Sequence, residues 1–180
     1  MLRFDGVALR RGGRLLFEDL DLALGPGEAL QVVGPNGSGK SSLIRLAAGL
    51  LRHERGEVER SPFALADDQV ALDRELPLKR ALDFWGGSPG PELEKLGIAH
   101  LANVPVRLLS SGQLKRATLA RAAASGTRLW LLDEPLNALD KDGAERLSNV
   151  VAEHRAAGGA VLAASHQLLA GDWRNLELGE

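Results

Sequence analysis

A glycine-rich stretch near the start of the chain has the sequence Gly34-Pro35-Asn36-Gly37-Ser38-Gly39-Lys40-Ser41. Its spacing, a glycine, four further residues and then Gly-Lys-Ser, is that of a phosphate-binding loop. Glycines let backbone amides turn inward and approach phosphate oxygens closely. We expect Lys40 to contact the β- and γ-phosphates and the Ser41 hydroxyl to reach Mg²⁺. All eight residues, together with Ser42, are therefore predicted to bind a nucleotide, and ATP with Mg²⁺ is the expected ligand.

The flanking residues favour this interpretation over an ordinary glycine-rich turn with a surface lysine. Residues 28–33 form a short apolar-rich run that predicts a strand, and residues 41–48 predict a helix. The loop would then join a strand to a helix, which is the setting that a phosphate-binding loop requires. The partial positive charge at the helix N-terminus adds to the expected attraction for phosphate.

Two later apolar runs predict a parallel sheet. Residues 129–132 and 160–164 are too short for typical helices and lack alternation, as strands covered on both faces do. Between them lie four residues at helical spacing, Ala144, Leu147, Val151 and His154. Gly158-Gly159 is predicted to end that helix before the second strand begins. The whole segment is a predicted βαβ unit.

The N-terminal residues predict a different arrangement. Residues 2–9 and 15–24 have the pattern of strands, and residues 10–14 between them include Gly12-Gly13. Two strands joined by so short a glycine-containing connection favour an antiparallel pair. We therefore expect an antiparallel flank beside the parallel core.

Residues 61–107 differ in composition from the rest of the chain. They contain five prolines, which would divide them into short helical pieces: Pro62, Pro77, Pro89, Pro91 and Pro105. We interpret 61–107 as an inserted region with a helical subdomain. Within it, Phe84 and Trp85 precede Gly86-Gly87, and we expect these aromatic rings to pack at a helix end rather than to form an exposed docking patch.

The composition sets the broad class of protein. The chain has 180 residues, of which 44% are apolar, so a single domain over residues 1–180 is expected. It has no cysteine, which excludes a disulfide framework and a thiolate metal site and suits a reducing cytosol. The net charge of −2 gives no sign of a nucleic-acid partner. Residues 1–14 lack a signal-peptide core, and no apolar run approaches the ~20 residues of a membrane span, so another chain would have to cross the membrane.

Two adjacent carboxylates follow the apolar run at residues 129–132. Asp133 and Glu134 would lie at the C-terminal end of a buried strand, where open α/β sheets bind their ligands. Asp133 is predicted to hold Mg²⁺, directly or through water, and Glu134 to accept a proton from the attacking water. For these two residues taken alone, an acidic pair that caps a helix is the alternative.

The segment Leu109-Ser110-Ser111-Gly112-Gln113 precedes a helix-prone stretch at residues 114–124, and its serine fits a helix N-cap. Together with the glycine-rich loop and the acidic strand end, this segment resembles the ABC ATPase family, whose signature is usually Leu-Ser-Gly-Gly-Gln. Ser111 replaces the first glycine of that signature. Two further features match in order and spacing: Leu136-Asn137-Ala138-Leu139-Asp140 resembles the D-loop, and His166 resembles the switch histidine.

This resemblance covers essentially the whole chain and implies both a fold and a mechanism. The implied fold is an α/β P-loop NTPase with a parallel core sheet, an antiparallel β flank at the N-terminus and a small inserted helical subdomain. The implied catalytic residues are Lys40, Glu134 and His166, the last of which would sense the γ-phosphate. The family also implies a homodimer in the ATP state, in which Ser110 and Gly112 face the γ-phosphate held by the second copy.

Two positions depart from the family pattern. The aromatic residue that commonly stacks on adenine would fall at about Arg10 to Arg11, where a guanidinium plane could stack with a weaker base preference. The Q-loop, which couples Mg²⁺ to the membrane partner, would fall within Asp67-Asp68-Gln69. Either Asp68 or Gln69 fills its slot, and Gln69 is taken as the additional Mg²⁺ ligand.

Three shorter segments narrow the resemblance: Leu46-Ala47-Ala48-Gly49-Leu50-Leu51, Val104-Pro105-Val106 and Ser165-His166-Gln167. They are similar to the haem-exporter ATPases of bacterial cytochrome c maturation. This similarity implies that ATP hydrolysis drives haem export, or the release of a haem-loaded chaperone. The partners would be integral-membrane permease subunits, and the chain itself would lie peripherally at the cytoplasmic face of the bacterial inner membrane.

Three other functions stay open. A cassette of another exporter would share the nucleotide motifs. A soluble ABC-type ATPase that acts on nucleic acid or ribosomes usually adds coiled coils, zinc modules or a second cassette, none of which the sequence indicates. A nucleotide-binding regulator without hydrolysis is disfavoured by the presence of four residues of the hydrolytic set, Lys40, Asp133, Glu134 and His166.

Overall fold

A computed structural model of the protein describes residues 1–69 and 71–179. The strands are β1 (Leu2–Arg11), β2 (Arg14–Leu24), β3 (Ala29–Val33), β4 (Arg55–Arg60), β5 (Phe63–Ala66), β6 (Leu129–Asp133), β7 (Ala160–Ala164) and β8 (Arg174–Glu177). The α-helices are α1 (Lys40–Ala47), α2 (Leu78–Asp83), α3 (Pro89–Lys95), α4 (Ser111–Ala124) and α5 (Lys141–Ala156). Short 3₁₀ turns occur at Ala99–Leu101 and Val106–Leu108.

The larger sheet is parallel and has the strand order β5-β6-β7-β3-β8. β6 and β7 are neighbours, with Leu129 opposite Ala160 and Asp133 opposite Ala164, and α5 connects them. Every residue of β6 and β7 is buried, which explains why their sequences are continuous apolar runs rather than alternating ones. The predicted parallel core and the predicted βαβ unit are confirmed.

The smaller sheet is antiparallel and has the order β2-β1-β4. β1 and β2 form a hairpin in which Leu2 lies opposite Leu24 and Arg11 lies opposite Arg14. The antiparallel flank predicted from the N-terminal residues is therefore confirmed. The turn of this hairpin, at Gly12 and Gly13, lies next to the glycine-rich loop that follows β3, and this placement matters for the nucleotide site.

Alternate residues of the core strands pack against opposite layers. Leu129 and Leu131 join an apolar cluster that includes Phe4 of β1 and residues of α1. Trp130 and Leu132 join a second cluster, formed with residues of α4 and α5 and of the helices between β5 and α4. Each such buried side chain contributes roughly 1.5–3 kcal/mol of transfer free energy, so both layers are held firmly against the sheet.

The range 61–107 begins with β5, an edge strand of the parallel sheet, and its helices start at Leu78. The prediction that the two aromatic rings pack is wrong for Phe84, which is 82% exposed. The short helix α2 buries the side formed by Leu78, Ala81 and Leu82, and at helical spacing Phe84 projects away from that side.

Trp85 is only partly covered, with 46% of its surface exposed. Its Nε1 donates a hydrogen bond to the carbonyl oxygen of Ala71 at 2.7 Å, and the Arg121 guanidinium lies 4.7 Å from the centre of its ring. The expectation of packing is thus met in part by Trp85. Within the residues that the structure describes, no helix is long and apolar enough to cross a bilayer.

Candidate nucleotide-binding site

The glycine-rich loop connects the end of β3 to the start of α1, as the sequence predicts. Gly34 has a φ of 143°, and a Cβ atom there would lie 2.2 Å from the carbonyl oxygen of Leu178. No side chain fits so close to backbone, so a glycine is required. The N-cap of α1 is Gly39, which has no side chain to cap the helix. The first amides of α1 are therefore available to an anion, and the helix N-terminus favours negative charge there.

Lys40 lies beneath this loop and is only 6% exposed. Its Nζ donates to the carbonyl oxygens of Gly34 at 2.8 Å and Pro35 at 3.0 Å. Neutral carbonyls compensate a buried ammonium less well than anionic oxygens do, since charge-assisted hydrogen bonds are roughly twice as strong. The site is thus arranged so that phosphate oxygens can take over from the loop carbonyls.

Ser41 and Asp133 meet across the site, where the Ser41 Oγ donates to Asp133 Oδ1 at 2.8 Å. Asp133 is the last residue of β6 and is 7% exposed. Burial raises the pKa of Asp133 above its ordinary value, while the hydrogen bond from Ser41 and the charge of Arg45 act in the opposite direction. A hydroxyl and a desolvated carboxylate are hard oxygen donors, and their arrangement fits Mg²⁺.

This pair alone does not make a complete protein-only metal cage. Among residues 1–69 and 71–179, no group of three or more His, Cys, Asp or Glu side chains is placed to hold a metal ion. Mg²⁺ commonly takes one or two protein oxygens and completes its shell with water and the phosphates of a substrate. The donor set of Ser41 and Asp133 fits a metal that arrives with its nucleotide.

Glu134 follows Asp133 and turns toward the end of β7. Its φ of 47° lies in the left-handed region, which is uncommon for a residue with a side chain, and its N–H donates to the carbonyl oxygen of Ala164 at 2.8 Å. Glu134 Oε2 lies 2.8 Å from Nδ1 of His166. Backbone strain of this kind is found at functional sites, where it fixes the direction of a side chain. Here it places a carboxylate and an imidazole in contact at the edge of the site.

The serine-containing segment begins α4 and is held by a reciprocal pair of hydrogen bonds. The Gln113 N–H donates to Ser110 Oγ at 3.3 Å, and the Ser110 N–H donates to Gln113 Oε1 at 2.9 Å. The predicted serine N-cap is confirmed, as part of a capping box. Ser111 is the first residue of the helix and is exposed, so a glycine is not required at this position.

Gly112 does require the absence of a side chain. A Cβ atom at Gly112 would lie 2.7 Å from the carbonyl oxygen of Ala138. The first turn of α4 is therefore in close contact with the loop that follows β6. Of the two glycine positions in the signature, the one that has space for a side chain is occupied by Ser111. The position without space for a side chain keeps its glycine, Gly112.

The predicted site residues separate into two clefts. A cleft of about 440 Å³ contains the glycine-rich loop and Glu134. A second cleft of about 450 Å³ contains the signature segment, including Ser110 and Gly112, with Ala138 and Asp140 on its other side. The structure therefore brings together the residues of the first group, Lys40, Ser41, Asp133, Glu134 and His166, and places the signature residues elsewhere.

Lys115 connects the segment after β5 to the site through hydrogen bonds. The sequence did not predict this role of Lys115. Lys115 is 7% exposed, and its Nζ donates to the carbonyl oxygen of Asp133 at 3.2 Å and to the Asp68 carboxylate at 3.3 Å. Gln69 is exposed, and its N–H donates to Asp67 Oδ1 at 3.1 Å. A lysine in an alanine-rich helix usually faces solvent, and only the packing of α4 against the sheet shows that this one does not.

The two arginines at the end of β1 point in different directions. Arg11 lines the nucleotide cleft together with Arg14 and Leu16, and its Nη1 donates to Ser42 Oγ at 3.3 Å. Arg10 instead pairs with Glu54, at 3.5 Å. Among the described residues that line this cleft, none is aromatic.

The sequence was compared with known protein families and proteins. Residues 17–80 and 91–137 match the family described as ABC transporter. A cytochrome c biogenesis ATP-binding export protein CcmA from Sphingopyxis alaskensis is 54% identical over 178 residues, covering 94% of this chain and 92% of that protein. The protein of the same name from Novosphingobium aromaticivorans is also 54% identical, covering 91% of this chain and 87% of its own length.

Solved structures agree with these matches. An ATP-binding subunit of an ABC transporter aligns with a TM-score of 0.88 at 22% identity, covering 98% of this chain and 85% of the other. A dimeric ATP-binding cassette in a post-hydrolysis state, bound to ADP and Pi, aligns with a TM-score of 0.81 at 25% identity, covering 99% and 94%. The chain therefore belongs to the ABC transporter family of ATP-binding cassettes, alongside the CcmA export proteins.

Proposed function

We propose that this chain is the ATP-hydrolysing subunit of an exporter that serves cytochrome c biogenesis. The observation that carries the proposal is the arrangement at the end of the parallel sheet. There Lys40, Ser41 and Glu134 line one cleft. Asp133 is hydrogen-bonded to Ser41, and His166 contacts Glu134. The relatives named as cytochrome c biogenesis ATP-binding export proteins support the pathway, since they are 54% identical over nearly the whole chain.

In this mechanism the glycine-rich loop, the N-terminus of α1 and Lys40 hold the β- and γ-phosphates of ATP. Ser41 and Asp133 would hold Mg²⁺, which when bound supplies positive charge to the phosphate oxygens. Glu134 accepts a proton from the attacking water. The water oxygen bonds to the γ-phosphorus as the bond between that phosphorus and the ADP oxygen breaks. His166, through the 2.8 Å contact of its Nδ1, keeps the Glu134 carboxylate in position.

The signature segment serves the site of a second copy of the cassette. In the capping box, Ser110 Oγ accepts a hydrogen bond from Gln113, so its own hydroxyl hydrogen is available to donate to a phosphate oxygen. The N-terminus of α4 adds partial positive charge to the same surface. Gly112 lies beside Ser110 in a cleft separate from Lys40. A head-to-tail dimer in the ATP state would bring the two halves together, and the dimeric cassette at 25% identity supports a second cassette as the partner.

The remaining assignments follow the same proposal. The chain is one ATPase domain over residues 1–180, with an insertion at about 61–107. Gln69, which is exposed, would offer its side-chain oxygen as a further Mg²⁺ ligand, while the contact of Asp68 with Lys115 anchors the neighbouring backbone. The chain lies peripherally at the cytoplasmic face of the inner membrane. There its ATP hydrolysis drives haem export, or the release of a haem-loaded chaperone, through integral-membrane permease subunits.

The catalytic part of the proposal is tested by two substitutions in the purified protein. Glu134→Gln is expected to bind ATP with unchanged affinity but to hydrolyse it at least ~100-fold more slowly, because the base is lost while the phosphate contacts remain. Lys40→Ala is expected to abolish ATP binding. Hydrolysis by Glu134→Gln at the wild-type rate would show that Glu134 is not the base.

The pathway is tested by isolating Glu134→Gln from native membranes in ATP and identifying the proteins that remain bound to it. Recovery of integral-membrane subunits of cytochrome c maturation is the expected result. A different permease would keep the ATPase assignment and change the pathway. Retention of soluble nucleic-acid complexes alone would contradict the transporter assignment.

A further inference from the structure

A buried amide lies in β3, the strand that leads to the glycine-rich loop. Gln31 is 1% exposed and lies between β7 and β8, opposite Ala163 and Asn175. A central strand covered on both faces usually carries apolar side chains. Burial of an amide is unfavourable unless its donor and its acceptor both find partners. The packing of the sheet alone therefore does not account for a glutamine at this position.

Both ends of the Gln31 amide bind the backbone of one segment. Its Nε2 donates to the carbonyl oxygen of Gln167 at 2.6 Å, and its Oε1 accepts from the N–H of Leu169 at 3.1 Å. A carbonyl can only accept and an N–H can only donate, so these partners define the orientation of the amide. Gln31 thus holds the segment that directly follows His166.

Residues 166–169 belong to no helix or strand. Within the part of the chain that the structure describes, their backbone hydrogen bonds go to side chains rather than to other backbone groups. Two of these bonds come from Gln31, and a third is donated by the N–H of Gln167 to Ser165 Oγ at 3.1 Å. The conformation of the segment therefore depends strongly on the Gln31 amide.

This segment carries His166 to the edge of the nucleotide site. Nδ1 of His166 lies 2.8 Å from Glu134 Oε2, and the side chain of Gln167 lies 3.2 Å from Nε2 of the same ring. The His166 side chain is 47% exposed, so packing alone does not fix the ring. A side chain in a site keeps its geometry only when the groups around it are themselves held. A shift of Gln167 and its neighbours would therefore move the ring away from Glu134.

We propose that Gln31 is a positioning residue for ATP hydrolysis, because its amide fixes residues 167–169 and thereby holds His166 against Glu134. The inference rests on the proposed function, in which His166 keeps the Glu134 carboxylate in position. Gln31 is not among the described residues that line the nucleotide cleft, and both of its hydrogen bonds go to residues 167 and 169. It therefore affects hydrolysis rather than nucleotide affinity.

The first test is Gln31→Met, which keeps the length of the side chain but removes both hydrogen bonds. The kcat for ATP is expected to fall about tenfold, because the Glu134 carboxylate loses its support, while the Kd for ATP stays within about twofold. Gln31→Asn keeps an amide that is one methylene too short to reach both partners. It should show the same separation of kcat from Kd, and it replaces Gln31→Met if that variant is unstable.

Thr118→Val is the matched control, because it also removes a buried hydrogen bond. Thr118 is 2% exposed, and its Oγ1 donates within α4 to the carbonyl oxygen of Leu114 at 3.0 Å. Its kcat and its Kd for ATP should stay at the wild-type values. A general effect of losing a buried hydrogen bond would instead lower kcat in both proteins.

A second measurement follows the position of His166 without using activity. The chain has four histidines, so its imidazole signals in a proton–carbon NMR spectrum are few, and His166→Ala identifies the signal of His166. In nucleotide-free Gln31→Met this signal should shift, while the signals of the other histidines stay in place. In a His166→Ala background, Gln31→Met should cause no further loss of kcat, because the two residues act in series.

A Gln31→Met protein with the wild-type kcat, or with an unmoved His166 signal, would overturn the inference and leave the proposed function intact. An additive loss of kcat in the double variant would also overturn it, since Gln31 would then act by a route other than His166. A His166→Ala variant that hydrolysed ATP at the wild-type rate would instead refute the role of His166 in the proposed function, and this inference with it.

Discussion

Asp133 carries a carboxylate at a position from which water is largely excluded. Burial raises its pKa, whereas the Ser41 hydroxyl and the charge of Arg45 lower it, and burial is the largest of these effects. An acid whose pKa is raised by folding costs the folded state stability at every pH above its ordinary value of 3.8, since the unfolded chain ionises more readily. The residue proposed to hold Mg²⁺ is thus a source of instability when neither metal nor nucleotide is bound.

Replacing this charge should therefore separate stability from activity. Asp133→Asn keeps the shape and an acceptor for Ser41, so at neutral pH the nucleotide-free protein is expected to unfold at a higher denaturant concentration than the wild type. ATP hydrolysis should fall by about 100-fold or more, as on loss of other groups that stabilise transition-state charge. Denaturant unfolding in the presence of EDTA measures the stability of the metal-free protein, and a steady-state ATPase assay measures hydrolysis.

The matched control is Asp172→Asn, because the Asp172 side chain is fully exposed. Its stability should stay within about 0.5 kcal/mol of the wild type. If Asp133→Asn unfolded at a lower denaturant concentration while Asp172→Asn was unchanged, burial would not be the dominant influence on Asp133.

Between elements, α4 approaches the loop after β6 closely in the second cleft. A methyl group at Gly112 would meet the Ala138 carbonyl oxygen at 2.7 Å, so Gly112→Ala must push the two segments apart. We expect a loss of about 1–3 kcal/mol of unfolding free energy, which is the usual cost of forcing a group into a packed contact. The ATPase rate should fall as well, since Ser110 moves with the helix. Denaturation midpoints and steady-state hydrolysis provide the measurements.

Ser111→Ala is the control for this substitution, because Ser111 is the adjacent residue, is exposed and does not cap the helix. Its stability should be within about 0.5 kcal/mol of the wild type. Equal effects of the two alanine substitutions would show that the contact with Ala138 does not restrict Gly112.

The contact of α5 with β6 should make stability depend on pH. His154 stacks on the buried Trp130 with ring centres 3.6 Å apart and planes 11° from parallel. Desolvation lowers the pKa of His154 below its ordinary 6.5, although its hydrogen bonds to backbone oppose this. A lowered pKa means that the unfolded chain takes up the proton first. Stability is therefore unaffected well above pH 6.5 and falls as the pH drops from about 6.5 toward the folded pKa.

His154→Phe keeps a ring over Trp130 without a titrating group. Between pH 7.5 and 5.5, the wild-type protein is expected to lose more unfolding free energy than this variant. His53→Gln, which removes an exposed histidine, should follow the wild type at both pH values. An equal loss in His154→Phe and the wild type would show that the proton taken up on unfolding belongs to another group.

The features that the sequence predicted are those set by local pattern and by fixed spacing. The continuous apolar runs predicted β6 and β7, and the glycine spacing predicted the loop before α1, because both depend on neighbouring residues. Local pattern did not predict that Lys115 is buried, that Phe84 is exposed or that Arg11 points into the nucleotide cleft. Their burial, exposure and direction depend on which segments lie beside them in the folded chain, and spacing along the sequence carries little of that information.

At the scale of the whole molecule, the two clefts hold complementary chemistry. The first collects Lys40, Ser41 and Glu134 at the end of the parallel sheet, and the second presents Ser110 at the N-terminus of α4. Because these groups are not adjacent within one chain, the proposed site is complete only when a second copy contributes its signature segment. Nucleotide affinity of the monomer and ATP-dependent pairing should therefore respond to different substitutions.

Ser110→Arg separates the two properties. The bulky side chain would fill the surface that meets the second copy, so the monomer should bind ATP as before while the ATP-dependent dimer is lost. Loss of the cap should also cost about 1 kcal/mol of stability, which leaves the protein folded. The comparison is made in a Glu134→Gln background, where ATP is retained, with light scattering to measure mass. Ser88→Arg, at the exposed serine that precedes α3, should still dimerise. A dimer that persists in Ser110→Arg would place the γ-phosphate contact elsewhere than at α4.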